Sequence, residues 1–358
     1  MTGWRGTAAP GRFTSARLLV IYRSLLVACA ITTLAMTWDL WRVRVTPPML
    51  PVLSLPRVDM GVPLVVALLA VLATPIWGAA AFGVLLFYAI LIDQTRIQPE
   101  FVSLALLLVG ASAGSAARFV GRAHLITMWG WAGINKILSP AFLASTAPAL
   151  LAGVWPGAPP GLKSNAGYMA ALAEVAIAVL ALAPRARWAA ATVALGLHAG
   201  ILLVLSPRAD PNIVVWPWNI ALALAGLVFI APWKGSVSEA FRASRLVPRF
   251  VVAALLVMPA GFYFGVVDAY LSHNLYSSNT PLATTVPPTR RLFRVPFPPE
   301  HRLFEQHFQL TCYKGQTLQI LDRRWWFMRR GLANRTVVCE FHPRSLIRTG
   351  GTRPPPPA

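Results

Sequence analysis

The chain has 358 residues, 56% of them hydrophobic and 12% charged, with a mean hydropathy of +0.59 and a formal charge of +20. A soluble domain carries about 25% charged residues, so the composition excludes an ordinary water-soluble globule and points to an integral membrane protein. The basic residues lie in short loops between apolar runs and in the C-terminal tail, not on one amphipathic face; this argues against a nucleic-acid partner and for the lipid bilayer.

Apolar runs bounded by Pro, Gly or charge fall at 18–36, 61–74, 77–92, 101–116, 124–139, 167–183, 188–205, 213–231 and 250–268. They predict an all-α polytopic membrane bundle of about nine transmembrane helices, followed by a small β-rich extramembrane domain. The first run, from Leu18 to Met36, has the length of a spanning helix and not of a cleaved leader. A span needs about 20 apolar residues, so the second, third and fifth runs are short. The break at Thr74-Pro75 either separates two helices or kinks one.

Charge favours nine. With the N-terminus in the cytoplasm, Arg5, Arg12, Arg17, Arg118, Arg122, Arg185, Arg187, Lys234, Arg242, Arg245 and Arg249 fall inside with one acid, Glu239. Arg42, Arg44, Arg57, Arg96, Lys163 and Arg208 fall outside with Asp39, Asp59, Asp93, Glu100 and Asp210. The expected organisation is a cytoplasmic segment 1–17, a bundle 18–268, an extracytoplasmic domain 269–349 and a disordered Pro-rich end 350–358, in a multi-pass protein of the cell membrane.

Within the tail, His307–Tyr313, Thr317–Asp322 and Thr336–Phe341 read as strands, with turn material at Lys314-Gly315-Gln316. Cys312 and Cys339 are either a disulfide, which an outside location permits, or two small buried thiols. The basic and aromatic stretch 323–330 reads as a surface resting on anionic headgroups or as an ordinary strand with exposed arginines. The tail histidines are too widely spaced to suggest a metal site.

Ionisable groups inside a membrane are costly and mark candidate sites. Here they are Arg23, Lys136, Glu174 and His198, with Asp93, Glu100 and Asp268 at helix ends. At helical spacing Trp129, Gly133 and Lys136 share one face, and Gly133 lets another helix or a flat ligand approach. Lys136 is then either a desolvated base or a lysine snorkelling from its helix end. Glu174 either pairs with Lys136, Arg23 or His198 or holds a proton. His198 is a relay, a ligand contact or an interhelical hydrogen bond; a b-type haem needs two placed histidines, and His124 and His198 begin and centre different helices. Asp93, Glu100, Lys136, Trp218 and Asn219 all fall towards the outer side.

Several segments resemble the HTTM family, the membrane domain of vitamin-K-dependent γ-carboxylases and their bacterial relatives. They are Ser15-Ala-Arg-Leu-Leu-Val-Ile-Tyr-Arg23, Leu91-Ile-Asp93-Gln-Thr-Arg-Ile-Gln98-Pro99, Ala132-Gly-Ile-Asn-Lys136-Ile, Gly196-Leu-His198, and Asn212 with Val215-Trp-Pro-Trp-Asn219. The Lys136 stretch with Ser139-Pro140 also resembles DoxX-like quinone-associated proteins. The resemblance implies a quinone or quinol cofactor, with Lys136 as the base that deprotonates the reduced quinone in a water-poor pocket. The candidate catalytic residues are Lys136, Glu174 and His198; the candidate cofactor-binding residues are Trp129, Gly133, Asp93, Glu100, Trp218 and Asn219. Glu100 stands where the carboxylases have a histidine, and their large lumenal peptide-binding region is not evident, so carboxylation of a propeptide is not expected. The alternatives are a non-catalytic DoxX-like partner of another membrane enzyme, or a proton-coupled transporter using Glu174 and His198.

Overall fold

The structure is a computed structural model describing residues 11–112, 114–206, 212–288, 297–324, 329–331 and 333–340, with backbone alone for 11–16. The segment before Gly11, Arg208 and Asp210, residues 325–328, Phe341 and the Pro-rich end lie outside the described residues.

The helices run in chain order: α1 (Gly11–Met36), α2 (Trp38–Trp41), α3 (Gly61–Ala73), α4 (Pro75–Ile92), α5 (Pro99–Ala111), α6 (Ser115–Ile137), α7 (Ala147–Val154), α8 (Pro160–Leu182), α9 (Arg187–Val204), α10 (Trp216–Ala225), α11 (Val237–Ala243) and α12 (Leu246–Val257). Proline opens α4, α5 and α8, where its missing N–H costs no hydrogen bond. A capping box between Ser236 and Glu239 opens α11.

The apolar runs lie largely in helix, with 101–116 crossing the break between α5 and α6, but six helices are long and apolar enough to cross a membrane, or seven if α6 and the segment Phe142–Val154, bent by 85°, form one broken span. At 1.5 Å per residue the thirteen residues of α3 or of α5 rise about 20 Å, short of a 30 Å hydrocarbon core. The Thr74 break is a tight turn between two packed helices rather than a kink. A Cβ on Gly78 would lie 2.3 Å from the Val71 backbone nitrogen, a contact reached only when α4 folds back on α3. The core is continuous: α1 touches α3, α5 and α10, and Leu26, Leu34, Trp41, Phe82, Phe101 and Phe229 are fully or almost fully buried.

The two ends of the bundle use charge differently. At one, arginines close helix C-termini, whose last carbonyls lack intrahelical donors. Arg23 donates to the Ala111 carbonyl at the end of α5 (2.8 Å), Arg122 to that of Phe229 (2.9 Å), and Arg187 to those of Ala181 (3.1 Å) and Trp233. At the other, Asp93 accepts from Arg44 (2.5 Å) and from the Thr95 amide and hydroxyl, with Arg96 at 3.8 Å.

The C-terminal domain lies at this second end. Its strands β1 (Leu282–Val286), β2 (Thr317–Leu321) and β3 (Asn334–Val338) form an antiparallel sheet in the order β1-β2-β3, with Thr284 opposite Gln319 and Gln319 opposite Thr336. The expected strands over 317–322 and 336–341 agree with β2 and, up to Val338, with β3. The one expected over His307–Tyr313 does not form. That stretch belongs to helix α13 (His301–Thr311), because Leu303, Phe304, His307 and Phe308 recur at helical spacing and are buried together. Phe304 and Phe308 pack on Leu318 and Ile320. Cys312 and Cys339 are joined by a disulfide with their Cα atoms 5.9 Å apart.

Arg324 docks this domain on the bundle. It is fully buried, donates to Asp322 (2.7 Å), Glu300 (3.1 Å) and the Phe262 carbonyl (3.1 Å), and stacks 4.8 Å from the Phe262 ring. The headgroup-facing expectation therefore fails at Arg324, whose charge is spent inside the protein.

Candidate functional site

A cavity of about 470 Å3 opens among α6, α7, α8, α9 and α10 at the end that carries the C-terminal domain. Its wall is mostly apolar, from Met128, Ala132, Phe142, Leu197, Ile201 and Leu222. Lys136, Glu174, His198, Trp129, Trp218 and Asn219 line it as well.

Local sequence brings these groups together. Gly133 lets α6 and α8 approach so closely that a Cβ there would lie 2.7 Å from the Ala171 carbonyl oxygen and 2.9 Å from the Val175 nitrogen. Gly133 is thus filled by a helix and not by a flat ligand. One turn on, that approach sets Lys136 Nζ 2.8 Å from both carboxylate oxygens of Glu174. Both side chains are buried, so each charge has its compensation in the other, as a low-dielectric site demands. Lys136 Nζ also lies 5.7 Å from the Phe142 ring. Neither Arg23 nor His198 is the partner of Glu174.

His198 has a fixed role. Its Nε2 accepts from Trp129 Nε1 (3.0 Å), so Nδ1 carries the proton and faces Asn219 Oδ1 (2.9 Å). Asn219 Nδ2 in turn donates to the Val215 carbonyl (3.0 Å), which fixes the amide orientation. Both ring nitrogens are spent, leaving none for an axial iron. Trp129 acts through this same bond.

Asp93 and Glu100 do not line the cavity. Asp93 belongs to the Arg44–Thr95–Arg96 cluster, where the arginines hold it away from the pocket. Glu100 is buried in the first turn of α5, where the helix N-terminus favours an anion. Their sequence positions put them at the correct end of the bundle but not in the site.

Sequence reasoning missed His273 and Tyr276, which reach the cavity from the segment after α12. Neither lies in an apolar run or a recognisable motif. Asn135 anchors that segment: its Nδ2 donates to the Ser272 carbonyl (2.8 Å) while its Oδ1 accepts from Tyr263 (2.7 Å).

Among the described residues, no group of three or more His, Cys, Asp or Glu is placed to hold a metal ion. Comparison of the chain with protein-family models, with curated proteins and with solved structures finds no match.

Proposed function

We propose that the chain is a multi-pass membrane protein that binds a reduced quinone in the cavity and removes a proton from it at the Lys136–Glu174 pair. The observation that carries this reading is the meeting of a buried ammonium and a buried carboxylate, at 2.8 Å, on the wall of an apolar cavity. Resemblance alone would make Lys136 the base. In the ion pair its nitrogen has no lone pair to offer, so the roles divide. The Glu174 carboxylate takes the phenolic proton: the quinol O–H bond breaks, a carboxyl O–H forms, and the electron pair stays on the quinol oxygen. Lys136 holds the resulting phenolate through an ammonium N–H, an interaction strengthened by exclusion of water. His198, neutral and locked between Trp129 and Asn219, shapes the wall.

The chain crosses the membrane nine times with its N-terminus in the cytoplasm, α3 and α5 being short crossings. Two observations support this topology. Arginine-capped helix ends gather at one side, as cytoplasmic segments rich in Lys and Arg do. A disulfide stands at the other, as an oxidising compartment permits.

The test is lipid and quinone mass spectrometry on the detergent-purified chain, with Lys136→Met and Glu174→Gln beside wild type. The reading expects a quinone retained by wild type and lost from the folded Lys136→Met protein, with Glu174→Gln still binding but no longer exchanging the phenolic proton. A quinone held equally by wild type and Lys136→Met overturns it.

A further inference from the structure

The cavity has a second polar region, on the segment that follows α12. His273 lines the cavity, and its ring makes no hydrogen bond with any described residue. Its ring neighbour is His124, 5.7 Å away between centroids and tilted by 53°. Burial pushes His273 down to about 4, so at neutral pH the imidazole presents one N–H donor and one nitrogen acceptor, both unspent. Behind it, His124 is fully buried. Its Nε2 is engaged by the Ser103 hydroxyl (2.7 Å), while its Nδ1 has no partner among the described residues.

The backbone holds His273 there at a cost. His273, Tyr276 and Ser278 have φ of 57°, 55° and 53°, the left-handed region that residues with a Cβ enter only when their surroundings over-determine it. The anchors are the Asn135 bond to the Ser272 carbonyl and a 2.6 Å contact between the Thr146 and Ser278 hydroxyls. An imidazole held in this conformation, facing an apolar cavity with its hydrogen-bonding capacity unused, suits a ligand group better than a structural role.

We propose that His273 is a ligand-contacting residue, so that the cavity takes a flat aromatic molecule with two polar ends, one at Lys136–Glu174 and the other hydrogen-bonded by His273, with His124 as the positioning residue behind it. The inference rests on the reading of Lys136–Glu174 as the first pole, and deepens it. Trp129 and Trp218 line the same cavity, and aromatic side chains suit the ring of such a molecule. The ligand class is an aromatic diol or its dione; a mono-ol leaves His273 without a partner.

The test is oxygen-free calorimetric titration of the full-length, detergent-solubilised chain with 1,4-dihydroxynaphthalene and with 1-naphthol, which lacks the second oxygen. Wild type should bind the diol about three- to tenfold tighter, the range of one buried neutral hydrogen bond. His273→Leu should erase that preference and leave 1-naphthol unchanged. Should Leu prevent folding at the left-handed position, His273→Asn accepts that backbone and is too short to reach the ligand. A preference that survives both variants, or no preference in wild type, overturns the proposal. Lys136→Met should weaken both probes alike. If instead it changes neither while His273→Leu still erases the preference, the reading of Lys136 fails and the contact at His273 stands. Failure of both probes to bind wild type sinks both readings.

Discussion

Two of the buried ionic centres among the described residues differ in how fully they are satisfied. Arg324 spends its guanidinium on Asp322, Glu300 and the Phe262 carbonyl and lays its face on the Phe262 ring. Lys136 has one ionic partner, Glu174, and faces a cavity. A saturated cluster fastens one domain to another. A single pair at the edge of an apolar cavity is less fully enclosed, and on the proposed reading its remaining hydrogen-bonding capacity is for a ligand. Burial alone does not distinguish the two centres, since Arg324, Glu300, Lys136 and Glu174 are all buried residues; their surroundings do.

The largest effect should come from breaking the saturated centre. Arg324→Met leaves two buried carboxylates facing each other and should destabilise docking of the C-terminal domain by roughly 3–5 kcal/mol. Hydrogen exchange in α13 and β2 would report it. Unchanged exchange there would show that Arg324 fastens nothing.

Removing the disulfide comes next. Cys312→Ser with Cys339→Ser opens a loop with a separation of 27 residues and should cost the domain about 3.5 kcal/mol on chain-entropy grounds. Hydrogen exchange should rise in α13 and the sheet while α1 to α10 keep their protection. Equal loss throughout the chain would mean that domain and bundle unfold as one unit.

A smaller cost is expected at the open centre. Lys136→Met strands the Glu174 carboxylate, which can take up a proton, and should cost about 2 kcal/mol. Adding Glu174→Gln should recover most of it while ligand retention stays lost. If the double variant is no more stable than the single one, the pair is not an isolated ionic unit. Thermal unfolding in detergent distinguishes the outcomes.

The docking centre should also show a pH dependence, graded rather than all-or-none. Burial outweighs the attraction of Arg324 and pushes Glu300 up to about 8, and burial likewise raises Asp268 to about 6. A carboxyl raised on folding binds more protons in the folded state, so its contribution is greatest below the unfolded value and falls as pH rises towards the folded one. Docking should therefore weaken between about pH 4 and pH 8, most visibly as slower corrected exchange around Glu300 at pH 6 than at pH 8. Glu300→Gln should flatten the upper part of that profile.

Much of the architecture was legible in the chain. The apolar runs lie largely in helix, the local way for a backbone within an apolar stretch to satisfy its own polar groups. The C-terminal sheet was half legible: β2 alternates Leu318 and Ile320 inward, whereas α13 was misread because Phe308, Leu310 and Cys312 alternate as in a strand, and the helical spacing shows only once Leu303 and Phe304 are included. The candidate site was legible where a costly residue stood in an apolar run, as at Lys136, Glu174 and His198. Asp93 was overrated, because spacing cannot show that Arg44, far away in sequence, neutralises it.

By itself, then, the sequence determined the apolar, mostly helical character of the chain, the positions of its long apolar helices and the residues whose burial demands a partner. Hydropathy and charge are local sums, and a single chain displays them directly. Only the tertiary structure decided who the partners are: Glu174 for Lys136, Trp129 and Asn219 for His198, and Asp322 with Glu300 for Arg324. It also brought His273 to the cavity from beyond the last helix of the bundle. Those choices depend on which helix faces approach across long separations in the chain, and on a glycine that lets two backbones close to contact, which no local pattern records.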